Sequence, residues 1–121
     1  MTNPDIVDHY LAAWNERDPA RRRDLVARTW SKDGSYVDPA RRADGQDAIS
    51  DMIGEAQSHF PGHSLTLRGA GEAHADRLRF SWSLAPDGGG APVLFGADFA
   101  FVAADGRLCD VTGFIDAAPA A

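Results

Sequence analysis

Two carboxylates and a phenol are the residues of this chain best suited to chemistry. Asp98 is the only ionisable side chain between Ala91 and Ala104, and its own strand face reads Leu94, Gly96, Ala100 and Val102. An acid in that setting is costly to ionise, so its pKa should rise and its neutral form become a hydrogen-bond donor. A water-facing edge position, or a pair with an arginine of the next strand, is the alternative reading. Asp38 ends the short run Ser35-Tyr36-Val37-Asp38 before Pro39, whose ring fixes φ and removes a backbone donor. A carboxylate held there suits a general base, although Asp-Pro is also a common turn sequence. Tyr10 falls on an apolar helical stripe, where a buried phenol either serves a site or bonds to backbone. Tyr36 lies two residues before Asp38 and so on the same strand face, placed to narrow a pocket or hydrogen-bond that carboxylate.

Other chemistries find less support. The four histidines, His9, His59, His63 and His74, lack metal-ligand spacing. No Gly-x-Ser-x-Gly occurs, and Gly88-Gly89-Gly90 precedes a strand instead of opening a helix, which argues against a phosphate cradle. The lone Cys109 excludes an internal disulfide and a cysteine-based zinc site. Neither metal nor cofactor is expected. The aromatic residues are core formers first. Trp14, Trp30, Tyr36, Phe60, Phe80, Trp82 and Phe114 are the ones expected to wall a pocket for a flat apolar ligand.

Three helices must come first to position these groups. Asn3 is a suitable cap for the first, with Pro4 at its start and Asp5 in the first turn, where the dipole favours a carboxylate. Ile6, Val7, Tyr10, Leu11 and Trp14 form its buried stripe. Asp18-Pro19 repeats the signal for a second helix, with Leu25, Val26, Thr29 and Trp30 turned inward and Arg21, Arg22 and Arg23 mostly solvated. A short strand, Ser35 to Asp38, precedes a third helix from about Gln46 to Phe60, stopped by Pro61-Gly62. From His63 the apolar period becomes two: Leu65 and Leu67, then Leu78, Phe80, Trp82 and Leu84 alternate with polar neighbours. Val93 to Ala103 is apolar on both faces, as in a central strand. Asp105-Gly106 marks a hairpin before a last strand, Leu108 to Ile115. Helices followed by a strand meander predict an α+β domain, a twisted antiparallel sheet wrapped by three helices around an apolar hollow.

The chain of 121 residues is expected to be a single domain, with the small-sided tail 117–121 flexible. Its 12 Lys and Arg against 18 Asp and Glu give a net charge of −6, the wrong sign for a nucleic-acid binder. The longest apolar stretch, Phe99 to Ala104, is far too short to cross a membrane. The opening Met1-Thr2-Asn3-Pro4-Asp5 has no secretory pattern, so a cytoplasmic location is expected.

Several segments together resemble the nuclear transport factor 2-like superfamily, in its SnoaL-like and ketosteroid isomerase branch. They are Tyr10-Leu11-Ala12-Ala13-Trp14-Asn15 with Asp18, Trp30-Ser31-Lys32-Asp33-Gly34-Ser35-Tyr36-Val37-Asp38-Pro39, Gly45-Gln46-Asp47-Ala48-Ile49 and Asp105-Gly106-Arg107-Leu108. The resemblance spans about Ile6 to Asp116. It implies a cone-shaped barrel of strongly curved, mainly antiparallel sheet with three N-terminal helices, and a homodimer. Ketosteroid isomerases carry a general-base aspartate in an Asp-Pro pair, which matches Asp38. They place an oxyanion tyrosine on the first helix, matched by Tyr10, and a protonated aspartate eight residues before a turn glycine, as Asp98 stands to Gly106. The resemblance thus implies cofactor-free proton transfer next to a carbonyl, by an isomerase or a related cyclase or dehydratase. Tyr36 adds bulk beside Asp38, and Arg41 and Arg42 follow closely, so the expected partner is a small apolar or partly anionic molecule. Limonene epoxide hydrolases of the same superfamily carry an aspartate where this chain has Gly113, which makes that activity the weaker expectation. A non-catalytic ligand-binding or dimerisation module on the same fold is the alternative from another class.

Overall fold

The structure is a computed structural model that describes residues 4–116. The cap expected at Asn3 and the tail 117–121 lie outside the described residues. Helices α1 (Pro4–Asn15) and α2 (Pro19–Thr29) come first, then strand β1 (Trp30–Val37), the short β2 (Arg42–Asp44) and helix α3 (Gln46–His59). The rest is strand: β3 (His63–His74), β4 (Arg77–Pro86), β5 (Leu94–Val102) and β6 (Leu108–Ile115). They form one curved sheet in the order β2-β1-β6-β5-β4-β3, which stays unclosed, with β2 and β3 as its edges. Each neighbouring pair is antiparallel except β1 with β6, which is parallel. The α+β cone is as expected, with two helices before the first strand and the third ahead of the long strands. The strand β2 is additional, and β1 begins at Trp30, five residues before the expected start.

Local chemistry explains the main boundaries. The Asp18 carboxylate accepts from the Arg21 amide at 2.9 Å, and Pro19 opens α2 where its missing N–H is harmless. That helix runs directly into β1: Trp30 has extended dihedrals, yet its N–H still donates to the Val26 carbonyl. Trp30 then folds over Gly34, where a Cβ would come within 2.9 Å of the indole. The pairing of β1 with β6 shifts register over this stretch. Gly45 enters α3 with φ +89°, a conformation that strains any residue with a Cβ. Among the described residues, no helix is long and apolar enough to cross a membrane.

The core lies between the helices and one sheet face. Ile49 and Ile53 of α3, Tyr10 of α1, and Leu78, Phe80 and Val111 of the sheet are almost wholly buried. One residue of the arginine run departs from the expected solvated face. Arg21 and Arg23 are exposed, but Arg22 is 7% exposed. Its Nε donates to the Ser50 carbonyl at 3.1 Å, and its Nη1 to the Glu16 carbonyl at 3.0 Å and to Gln57 Oε1 at 3.2 Å. One guanidinium therefore satisfies acceptors from the α1 terminus and α3 at once, which only a planar fork of donors can do. Gly54 makes room for it, since a Cβ there would stand 2.6 Å from Arg22 Nη2.

Replacing Arg22 by alanine strands these acceptors and should lower the unfolding free energy by about 3 kcal/mol in urea denaturation. Arg23→Ala should stay within about 0.5 kcal/mol of the parent. Gly54→Ala should also destabilise, although alanine is the better helix former by about 1 kcal/mol.

Candidate active site

Strand register places Asp98 between two unlike neighbours: Phe80 of β4 on one side and Gly113 of β6 on the other. Two pairs along, Trp82 faces Gly96, and a Cβ on Gly96 would collide with the indole at 2.1 Å. The bare glycine lets the indole lie across β5, so that Trp82 Nε1 donates to Asp98 Oδ1 at 3.2 Å. From α1, the Tyr10 hydroxyl donates to Asp98 Oδ2 in a short hydrogen bond. The Tyr10 ring is fixed between Trp30 and Phe80, at centroid distances of 5.2 and 5.0 Å.

Asp98 is 3% exposed. Burial pushes its carboxyl from 3.8 up to about 6, and the Asp38 charge pushes the same way, while the bonds from Tyr10 and Trp82 hold it down. Among the described residues no arginine forms an ion pair with Asp98, unlike the expected alternative; its bonded partners are Tyr10 and Trp82. Burial first, and the Asp98 charge second, raise both Tyr10 and Tyr36 well above the ordinary phenol value. Both phenols therefore remain protonated donors at working pH.

Asp38 divides its oxygens between structure and site. Oδ1 accepts the Ala40 amide at 2.8 Å and the Arg41 amide at 2.9 Å, closing the turn that Pro39 begins. Oδ2 accepts the Tyr36 hydroxyl at 2.8 Å and lies 3.7 Å from Arg41 Nη1. The turn expected of Asp-Pro thus uses Oδ1, and Oδ2 is bonded to Tyr36. Arg41 lies between this carboxylate and Glu55, whose Oε2 is 3.5 Å from its Nε.

Asp98 and Asp38 flank Gly113, the first with a carboxylate oxygen and the second with its Cβ. A Cβ on that glycine would lie 2.9 Å from Tyr36 Oη, 3.0 Å from Asp98 Oδ1 and 3.2 Å from Asp38 Cβ. Asp38, Asp98 and Tyr36 also line one cavity of about 90 Å³, walled by Trp14 and Trp82 and reached by Arg41. Phe60 and Ile115, 38% and 43% exposed, lie at its outer part. Trp14 packs on Tyr36 at 5.4 Å between ring centroids.

Four expected site residues stand elsewhere. Tyr10 is wholly buried and off the cavity wall, because its hydroxyl is turned onto Asp98 from behind. Trp30 and Phe80 are core residues that clamp Tyr10 and do not wall the cavity. Phe114 is 56% exposed, since the strand period turns it away from the face of Gly113 and Ile115. That same period could have indicated Ile115, and Leu84 and Leu94, as wall residues. The Trp82 donor depended on a cross-strand register that sequence periodicity leaves open.

The chain carries the sequence pattern of the SnoaL-like domain over residues 7–111. A solved protein from Agrobacterium tumefaciens, named as a candidate isomerase of the SnoaL-like family, is 41% identical to it. That match covers 93% of this chain and 95% of the other, with a TM-score of 0.87. A candidate polyketide cyclase from Sinorhizobium meliloti is 20% identical over 92% of this chain and 94% of its own, with a TM-score of 0.70. A de novo designed protein with a curved β-sheet is 10% identical over 93% of this chain and 83% of its own, also at 0.70. These last two show likeness of fold alone. No curated protein matches the chain. On the domain match and the close structural relative, the chain belongs to the SnoaL-like family of the nuclear transport factor 2-like superfamily.

Proposed function

We propose that the protein is a cofactor-free enzyme that moves a proton next to a carbonyl, with Asp38 as base and Asp98 as acid. The observation that carries this reading is that Asp38 and Asp98 flank Gly113 and line one cavity in unlike environments. Asp38 is surrounded by donors aimed at a carboxylate, whereas Asp98 is buried and pushed toward its neutral form. Paired acids whose surroundings differ in this way suit opposite proton-transfer roles.

Asp38 Oδ2 takes a proton from the carbon beside the carbonyl, and the C–H electron pair moves onto the carbonyl oxygen as an enolate. Asp98 stabilises that oxygen by a hydrogen bond. Its Oδ2 already accepts from Tyr10, which leaves Oδ1, on the Gly113 side, to carry the acidic proton. The Trp82 bond to Oδ1 is long for a hydrogen bond and leaves room for that change. Tyr10 therefore acts as a positioning residue behind the acid. Asp38 returns the proton at the γ-carbon, so the net change is migration of a double bond into conjugation. A cavity of about 90 Å³ favours a substrate much smaller than a steroid, since pockets for larger ligands enclose roughly 300–1,000 Å³. The name of the Agrobacterium relative as a candidate isomerase supports the same reaction class.

The outer sheet face favours a further, compatible reading of assembly. Phe95, Phe99, Phe101 and Phe114 occupy the face turned away from Asp98, which fits burial against a second copy as a homodimer.

Conversion of 3-cyclohexen-1-one to its conjugated isomer, followed by ultraviolet absorbance, tests the reaction. Asp38→Asn should lower kcat by about 10²-fold or more. Asp98→Asn, which keeps a neutral donor, should lose less than Asp98→Ala. Rates equal to the parent in all three variants would remove both assignments.

The raised Asp98 pKa sets the pH dependence. Parent kcat/KM should fall as pH rises through about 6, because the acid ionises, and Asp98→Asn should lose that limb. Stability follows the same sign. A carboxyl whose folded value lies above 3.8 stabilises fully below that pH and loses its contribution as pH rises through about 6, a loss of about 3 kcal/mol. Carbon-detected NMR should place the Asp98 midpoint near 6. A midpoint below 3.8 would instead support a non-catalytic module with a charge-paired acid.

A further inference from the structure

Gly113 does not need to be glycine for its backbone. It sits inside a regular strand, paired with Asp98, and its φ lies outside the left-handed region. Its want of a side chain is instead a matter of space. The volume a Cβ would need is closed in by the Tyr36 hydroxyl, Asp98 Oδ1 and Asp38 Cβ, at 2.9, 3.0 and 3.2 Å. Contacts this close require the neighbours to yield, and none can do so freely. Tyr36 is 4% exposed and its hydroxyl is bonded to Asp38; Asp98 is 3% exposed and bonded at both oxygens.

Tyr36 is therefore tied to Gly113 in a way that reaches the base. The β1–β6 register pairs Tyr36 with Val111, so its ring rises beside the β6 strand and its hydroxyl overhangs the position two residues on. From there it donates to Asp38 Oδ2, the oxygen left free by the turn. Because the phenol stays protonated, its donor role is permanent and the carboxylate has one preferred orientation. Tyr36 also lines the same cavity as Asp38 and Asp98.

We propose that Tyr36 and Gly113 work as one coupled positioning and specificity pair. The bare glycine lets the Tyr36 hydroxyl reach between the acids, where it aims Asp38 and bars substrates branched at the reacting carbon. The ligand class is thus a small, flat, β,γ-unsaturated carbonyl compound with an unsubstituted α-carbon. The inference rests on the proton-transfer reading for its kinetic part and on packing alone for its coupling part.

A double-mutant cycle over Tyr36→Phe and Gly113→Ala tests it, read by urea unfolding and by isomerisation of 3-cyclohexen-1-one. Gly113→Ala should lower the unfolding midpoint in the parent, and the drop should shrink at least twofold once the Tyr36 hydroxyl is removed. The loss in kcat/KM from Gly113→Ala should likewise be at least tenfold smaller in the Tyr36→Phe background. Equal effects in both backgrounds would overturn the pair. Should Gly113→Ala fail to fold alone, folding of the double variant supports the coupling, and failure of both counts against it.

Tyr36→Phe by itself separates aiming from mere packing. It should lower kcat about tenfold with KM changed less than twofold, and should cut the preference for 3-cyclohexen-1-one over its 2-methyl derivative at least fivefold. An unchanged kcat and an unchanged preference would overturn the positioning role. A parent that isomerises neither ketone defeats the proposed reaction, while the unfolding cycle still decides the coupling.

Discussion

A carboxyl group buried on an apolar sheet face is the constraint on which the rest of this structure depends. Left without partners, Asp98 would be among the costliest groups in the domain. Two donors offset that cost, and each ties the site to a different part of the fold. The Tyr10 bond requires α1 to dock at one height and one rotation against the sheet. The Trp82 bond requires the indole to lie flat over Gly96. Helix packing by apolar contact alone tolerates sliding and repacking, whereas a hydrogen bond to a buried acid does not. Trp30 and Phe80 extend the constraint, because they hold the Tyr10 ring from both sides. These aromatic core residues thus also mount one polar contact.

The second carboxylate is held by opposite means. Asp38 obtains its orientation from neighbours in sequence: two amides of its own turn, Tyr36 two residues earlier and Arg41 three residues later. The contacts of Asp38 are all local, whereas burial in the packed core pushes Asp98 toward its neutral form. The chain thus brings two carboxyl groups to one cavity in unlike surroundings. A local turn supplies one and tertiary packing supplies the other, so a change in the core would disturb Asp98 well before it disturbed Asp38.

That division also decides what could be read from the sequence. Asp38 was legible because everything that holds it is within three residues. Asp98 was legible as an anomaly, the one ionisable group in an apolar strand, and its raised pKa followed. Its partners were less so: Tyr10 is 88 residues away and Trp82 is 16, and both contacts depend on a packing and a register that periodicity does not specify. Tyr10, expected as a donor toward a substrate, bonds Asp98 and does not line the cavity. Arg22 was hidden for a different reason. In a run of three arginines the one that turns inward is distinguished by what faces it, here Ser50, Gln57 and the gap at Gly54. The helices and late strands were legible from caps and alternation. The three-residue β2 was not, being too short for any period to show.

The same architecture occurs in a designed protein 10% identical to this chain, so the curved sheet itself asks for no particular chemistry. The distinguishing features lie where this sequence gives up side chains on the sheet. Glycine in a strand interior weakens it, since packing is lost and the unfolded chain gains freedom. Gly96 and Gly113 bear that cost on the two strands that meet at the acids, and each is filled by a polar-tipped aromatic from a neighbouring strand, Trp82 over one and Tyr36 over the other. Both tips point at a carboxylate: the indole N–H at Asp98 and the phenol O–H at Asp38. An apolar core could have filled either gap with a methyl group and gained stability. Two separate gaps, each occupied by a donor aimed at an acid, are the features of this sheet that favour the proposed site over packing alone.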